Sequence, residues 1–296
     1  MKEHIAACVQ IAVEPNDINY NIDKCCHWLE RAVKDYEAEL VVFPESITTG
    51  FSPAMPSEEF YELLKPVPGD HTVRIQKLAA ELGVHVIFPL YERGKEKGVI
   101  YNSSILIDDD GEILGNYHKT HPFPTERIEG GGWTTPGNHT VVVETKLGKI
   151  GMIICYDGDF PELVRVLALK GAEIVTRPSA LLRSFEIWEF VNKARAYDNH
   201  VYMLAANSIG PDAGKNYYFG HSMIISPIGQ TLALARGTEE IIAAKLDPNP
   251  IRYISYGTKS PMIFDHLEDR NVKVYGEILT EGKSGFEPSK RIPYKK

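Results

Sequence analysis

Short apolar runs rich in β-branched residues alternate along this chain with stretches whose apolar positions recur every three to four residues. The first run, residues 4–13 (HIAACVQIAV), has the length and composition of a strand. After it, Ile22, Cys25, Cys26, Leu29, Val33 and Tyr36 fall on one face of a helix. Residues 39–45 (ELVVFPE) form a second strand that Pro44 ends, and Ile75, Leu78, Ala79 and Leu82 mark a second helix with Gly83 placed to cap it. A strand over 84–90 (VHVIFPL) precedes 99–119, where two alternating runs flank Asp-Asp-Gly as a hairpin does. The second half repeats the plan. Strands are predicted over 140–145, 148–155, 172–178, 200–207 and 240–247, helices over 161–171 and 184–199, and a hairpin around Pro-Ile-Gly over 219–235. Pro161 opens the first of these helices and Gly171 lies past its end.

Strands alternating with amphipathic helices predict an α/β protein with helices packed on sheets. The doubling predicts two sheets, one per half, meeting face to face. From Pro248 the pattern loosens into charge and proline, so the chain divides into a domain over 1–247 and a C-terminal arm over 248–296 that packs on the domain or on a partner subunit.

Composition narrows the picture. With 43% hydrophobic and 24% charged residues the chain is an ordinary globular protein, and a net charge of −8 argues against nucleic acid or an anionic membrane as partner. No apolar run approaches the roughly 20 residues of a membrane span, and the charged start MKEHIAACVQ has no signal-peptide core, so a cytoplasmic location is expected. Cys8, Cys25, Cys26 and Cys155 lack disulfide-framework or C-x-x-C metal spacing. The first three fit packing positions.

Cys155 differs. It closes an apolar strand at a corner, GMIICYDGDFPE, where a turn leads into a helix. Two other reactive groups also sit at predicted strand ends: Glu45 after VVFP, and Lys119 after GNYH. If the three met, they would suffice for acyl transfer. A carboxylate takes the thiol proton and returns it to a leaving amine. An ammonium, together with a backbone N–H just after the nucleophile, stabilises an oxyanion. Taken singly, each has an ordinary structural reading, and spacing alone does not join them.

What joins them is a resemblance. The patches LVVFPES, YNSSILIDDDGEILGNYHKTH, GMIICYDGDFPE and NHVYMLAANSIG, in this order and each at a predicted strand end, resemble the nitrilase superfamily of carbon–nitrogen hydrolases. The resemblance implies a four-layer αββα sandwich and a Glu45–Lys119–Cys155 triad. It also implies a second glutamate at Glu126, with Glu129 as the alternative. It implies a small-molecule amide substrate, no metal or organic cofactor, and pairing through a helix layer into a homodimer or higher homo-oligomer. CYDGDFPE and YFGHSMII are most similar to the aliphatic amidase branch. An N-carbamoyl amine or amino acid amidohydrolase is the close alternative and a nitrilase the more distant one. All three triad positions are intact, against a non-catalytic binding module.

Phe51, Tyr156, Asp157, Arg177 and Ser179, all just past strand ends, are expected to line the substrate pocket, with Met55 near Phe51. Asp159 is expected to cap the helix that follows it rather than to hold a substrate amine. His118 and His121 lack a third ligand for zinc.

Overall fold

The computed structural model describes residues 1–252, 261–286 and 288–294. The first half runs β1 (His4–Gln10), α1 (Ile18–Tyr36), β2 (Leu40–Val42), α2 (Ser57–Leu63), α3 (Val73–Leu82), β3 (His85–Arg93), β4 (Ile100–Ile107) and β5 (Ile113–His118). The second runs β6 (Val141–Thr145), β7 (Gly148–Met152), α4 (Pro161–Leu169), β8 (Ile174–Thr176), α5 (Phe185–Asn199), β9 (Tyr202–Ala205), β10 (Ile209–Pro211), β11 (Tyr217–Phe219), β12 (Met223–Ile225), β13 (Thr231–Leu234) and β14 (Glu240–Leu246). Helix starts and stops follow local chemistry. The Asp17 carboxylate accepts from the Tyr20 amide at 3.1 Å to open α1, and Gly83 closes α3 in the left-handed conformation at φ 65°.

Among the described residues two six-stranded sheets form, ordered β14-β1-β2-β3-β4-β5 and β13-β12-β9-β8-β7-β6, with β10 and β11 as a separate hairpin. Alternation along the central strands sorts side chains between two cores. Ala7, Val9, Val41, Phe43, Val86 and Phe88 pack outward against Cys25, Leu29, Ile75 and Ala79 of α1 and α3. Ala6, Cys8, Leu40, Val42, Ile87 and Leu106 pack inward, in one core with Ile150, Met152, Ile174 and Met203 of the other sheet and Val164 and Trp188 of α4 and α5. The result is the expected αββα sandwich. It explains why these strands read as continuous apolar runs: both faces are covered. Among the described residues, no helix is long and apolar enough to cross a membrane.

One expectation is corrected. The last strand does not join the sheet of its own half. β14 pairs antiparallel with β1, from His4 opposite Leu246 to Gln10 opposite Glu240, and so completes the first sheet. Its neighbours Ile241 and Ile242 enter different cores, the outer and the inter-sheet one. A strand covered on both faces carries no mark of which edge it seeks. Two further elements escape the sequence pattern, α2 and the β10–β11 hairpin; α2 has a single buried apolar residue, Phe60.

The described part of the arm touches the domain. Leu267 packs on the inter-sheet core, the His266 amide donates to His200 Nε2 at 3.1 Å, and Arg127 Nη1 donates to the Ile292 carbonyl at 2.8 Å. Tyr294 Oη donates to the Thr120 carbonyl, beside the lysine of the site. Residues 253–260, 287, 295 and 296 of the arm lie outside the described residues.

Gln10 ties the two halves. Fully buried at the end of β1, it donates from Nε2 to the carbonyls of Arg236 and Thr238, and its Oε1 accepts from the amide and hydroxyl of Ser222. Gln10→Leu would strand those groups, at on the order of 1–3 kcal/mol for each buried polar group left unpaired. We expect urea denaturation to show a loss of about 2–4 kcal/mol; a midpoint within error of wild type would show that the bridge contributes nothing.

Candidate active site

Lys119 follows β5, and the β4–β5 register sets what faces it. Ser103 pairs with His118, so Asn102 stands opposite Lys119, whose amide donates to the Asn102 carbonyl at 2.8 Å. The ammonium is fully buried between two fully buried carboxylates: Nζ donates to Glu45 Oε1 at 2.8 Å and to Glu126 Oε2. Asn102 Nδ2 bridges the same pair, donating to Glu45 Oε1 at 2.8 Å and to Glu126 Oε1 at 3.3 Å. The second oxygen of Glu45 accepts from the Ala180 amide at 2.8 Å, and Glu126 Oε2 also accepts from the Phe123 amide at 3.0 Å. Burial alone would push the lysine pKa down, but Glu126 and Glu45 outweigh it and hold it well above its ordinary value. Burial, with Glu45 adding repulsion, raises Glu126 despite Lys119. Of the two glutamates open from sequence, Glu126 is therefore the one brought to the lysine; Glu129 is exposed.

Cys155 begins a 3₁₀ turn over Cys155–Asp159 at the exit of β7, with its backbone at φ 45°. A non-glycine residue in this left-handed region is strained, and such strain collects at sites where a side chain must be presented at a corner. Its amide donates to the Pro178 carbonyl at 2.8 Å, and its carbonyl accepts from Arg177 Nε at 2.8 Å. The amide of Asp157 turns back onto Ile154. Gly158 is required next, because a Cβ there would stand 2.2 Å from Arg177 Nε. The thiol is pushed up to about 12, chiefly by burial and then by the Glu45 charge, against the pull of Lys119 and Arg177. Cys155 lines a cavity of about 140 Å³ together with Phe51, Phe123, Leu182, Arg183 and Asn216. Phe51 lies under the lysine, its ring centroid 5.3 Å from Nζ.

The other expected substrate contacts need correction. Asp157 is buried and accepts from the Ile154 amide, the Tyr117 hydroxyl and the His121 amide, so it locks the turn after Cys155. Arg177 is buried beneath Cys155, bonded to Cys155 O and to Asn192 Oδ1 at 2.8 Å, with Trp188 stacked on it. Ser179 is buried and donates to the Arg177 carbonyl at 3.3 Å. All three hold the frame rather than the cavity wall. Tyr156 stands beside the cavity, its ring edge-on to Phe123 at 5.3 Å. Met55 packs instead with Phe60 and Tyr91. Asp159 caps nothing: α4 opens at Phe160 without a side-chain cap, and the Asp159 carboxylate pairs with Arg177 and Arg183. His118 and His121 pair with Glu92 and Asp157, each at 2.9 Å.

Sequence reasoning missed Asn102, the Ala180 amide and Arg183. Asn102 carried no local signal: counting back from Asp-Asp-Gly places Tyr101 across from Lys119, and a bulge between Leu106 and Ile107 shifts the register so that Asn102 stands there instead. The other two lie in a loop with no periodic pattern.

Residues 5–256 match the carbon–nitrogen hydrolase family. The chain belongs to that family. As a carbon–nitrogen hydrolase it is 33% identical over 287 residues to a probable nitrilase of Schizosaccharomyces pombe, covering 95% of this chain and 100% of that one. It is 29% identical over 282 residues to an ω-amidase of Saccharomyces cerevisiae, covering 92% and 94%. An amidase structure from Nesterenkonia sp. superposes with a TM-score of 0.76 at 25% identity, over 93% of this chain and 96% of that one. Amidase homologues thus support an enzyme of the amidase type.

A neutral resting thiol has a direct readout. The difference in thiolate absorbance at 240 nm between wild type and Cys155→Ala should stay flat through pH 9 and rise only as pH nears about 12. Because the folded value lies above the ordinary thiol value of 9.0, protonation of Cys155 favours the fold below that value, and this contribution is lost as pH climbs toward about 12. Glu45→Gln should lower the onset. A wild-type thiolate signal at pH 7 would overturn the electrostatic description.

Proposed function

We propose that the chain is a cysteine amidase that hydrolyses a small carboxylic amide to acid and ammonia through a thioester. The observation that carries this reading is the fully buried Lys119 held between Glu45 and Glu126, next to a strained cysteine at a small, largely apolar cavity.

The steps follow from that geometry. The resting thiol is neutral, so nucleophile and base act together: Glu45 takes the Sγ proton as sulfur bonds to the amide carbon. Charge moves onto the carbonyl oxygen, where Lys119 and the Tyr156 amide stabilise it. Glu45 delivers its proton to nitrogen, the C–N bond breaks and ammonia leaves. Water then loses a proton to Glu45 and adds to the thioester carbon. The C–S bond breaks, sulfur regains the proton, and the carboxylic acid departs. Glu126 holds Lys119 and, through Asn102, the position of Glu45. An N-carbamoyl substrate would pass through the same steps, but Asp159, the acid nearest in sequence to hold its amine, is already engaged by two arginines.

Ammonia release tests the reading on formamide, acetamide, propionamide, a nitrile and several N-carbamoyl compounds. Wild type should turn over simple amides, with Cys155→Ala reduced by at least about 10³-fold as for loss of a covalent nucleophile. Ammonia release by Cys155→Ala at the wild-type rate would remove the nucleophile from the scheme, and turnover of ureido compounds alone would move the substrate class.

A further inference from the structure

The loop over 120–134 brings Glu126 to Lys119 and Phe123 to the cavity wall. Its regular structure is two 3₁₀ turns, Pro124–Glu126 and Ile128–Gly130. Its inner end is anchored by Trp133, which packs with Phe60 and Tyr91. Its outer side, from Arg127 to Gly130, is half-buried or exposed. What lies against that outer side comes from the far end of the chain.

Residues 291–294 alternate between exposed and half-buried, as an extended segment does when one face lies on a support. The inner pair is Ile292 and Tyr294. The Ile292 carbonyl accepts from Arg127 Nη1 at 2.8 Å, and its side chain approaches Gly130 so closely that a Cβ there would stand 2.9 Å from Ile292 Cγ2. The Arg127 guanidinium lies 5.1 Å from the centroid of the Tyr294 ring, and its Nε donates to the Pro122 carbonyl at 3.0 Å, which ties the turn over 122–127. Tyr294 Oη donates to the Thr120 carbonyl. Burial and the Asp157 charge raise this phenol above its ordinary value, so it remains a donor at neutral pH. The Tyr294 ring also stacks on His121 at 6.2 Å; His121 stacks on Phe160 at 3.9 Å, and its Nδ1 lies 2.9 Å from Asp157 Oδ1. The tail therefore grips the residue after Lys119, the residue after Glu126 and, through His121, the carboxylate that locks the turn after Cys155.

We propose that the C-terminal tail is a positioning element of the active site, with Tyr294 and Arg127 as positioning residues that hold the 120–134 loop so that Glu126 stays on Lys119. Its kinetic consequence rests on the amidase reading above. A buried ammonium shared by two carboxylates tolerates little displacement, because each lost contact leaves a charge unpaired away from water. Loosening the loop therefore slows chemistry more than it weakens binding.

The experiment compares wild type with Tyr294→Ala, Tyr294→Phe, Arg127→Met and the Tyr294→Ala, Arg127→Met double variant. Phe286→Ala, at a tail residue 96% exposed, is the control. The readouts are kcat and KM for ammonia release from propionamide, the urea midpoint, and amide hydrogen exchange over 120–134 by mass spectrometry. Tyr294→Ala should lower kcat by about 10- to 100-fold with KM within about twofold, the scale of a small misplacement of reacting groups. Tyr294→Phe keeps the ring and should stay within about fivefold of wild type, as for one lost hydrogen bond. The double variant should fall no further than the worse single one, because both residues act through one brace. Exchange over 120–134 should quicken in Tyr294→Ala and match wild type in Phe286→Ala. Wild-type kcat and loop exchange in Tyr294→Ala would overturn the proposal. So would fully additive single effects, or a kcat loss that follows a lowered urea midpoint with exchange raised equally along the chain, the mark of a residue that only stabilises the fold. If wild type releases no ammonia from any simple amide, the amidase reading fails, and loop exchange in Tyr294→Ala alone decides whether the tail braces the loop.

Discussion

A lysine ammonium fully enclosed between two carboxylates is the constraint around which the site is arranged. Removing three ionisable groups from water costs several kcal/mol for each charge, and the mutual attraction offsets this only if nearly every remaining lone pair finds a donor. Those donors come from far apart in the chain: the Asn102 amide from β4, the Ala180 amide from the loop after β8, and the Phe123 amide from the loop after β5. The cluster can form only when both sheets are in place and the β4–β5 hairpin is in register, because a slip of one residue would turn Lys119 to the other face. Chemistry and fold are therefore specified together.

Cys155 is governed by the same electrostatics in the opposite sense. Burial, with the Glu45 charge adding to it against the pull of Lys119 and Arg177, keeps the cysteine as a thiol. A resting thiol is less open to alkylation and oxidation than a thiolate. In the mechanism proposed above, it becomes reactive when a substrate places its carbonyl where sulfur can bond as the proton leaves. Strain at φ 45° and the buried Asp157 carboxylate keep the corner from relaxing, so the turn presents sulfur without rearrangement.

Much of this was legible in residue order. Periodicity found the principal strands and helices, and the four sequence patches brought Glu45, Lys119 and Cys155 together before any coordinate did. The failures share one cause. Asp157, Arg177 and Ser179 sit where substrate contacts are expected, past strand ends, but their partners, among them the Tyr117 hydroxyl, Asn192 Oδ1 and loop backbone groups, are brought to them by tertiary packing that no local pattern encodes. Asp159 precedes a helix as a cap does, yet two arginines, 18 and 24 residues on, claim its carboxylate. β14 carries strand periodicity but not its destination. Local pattern reports what a residue is suited to; which partner reaches it first is decided by tertiary packing.

The return of β14 to β1 has a consequence for how the chain acquires its shape during synthesis. In chain order His4 precedes its ladder partner Leu246 by nearly the whole of the fold. Until that late segment emerges, β1 stands as an open edge with unpaired amides and carbonyls along its length, a template for any passing strand. The first sheet cannot close early, so the nascent chain must either wait with this edge exposed or be shielded by a chaperone. A fragment lacking β14 would keep that edge open.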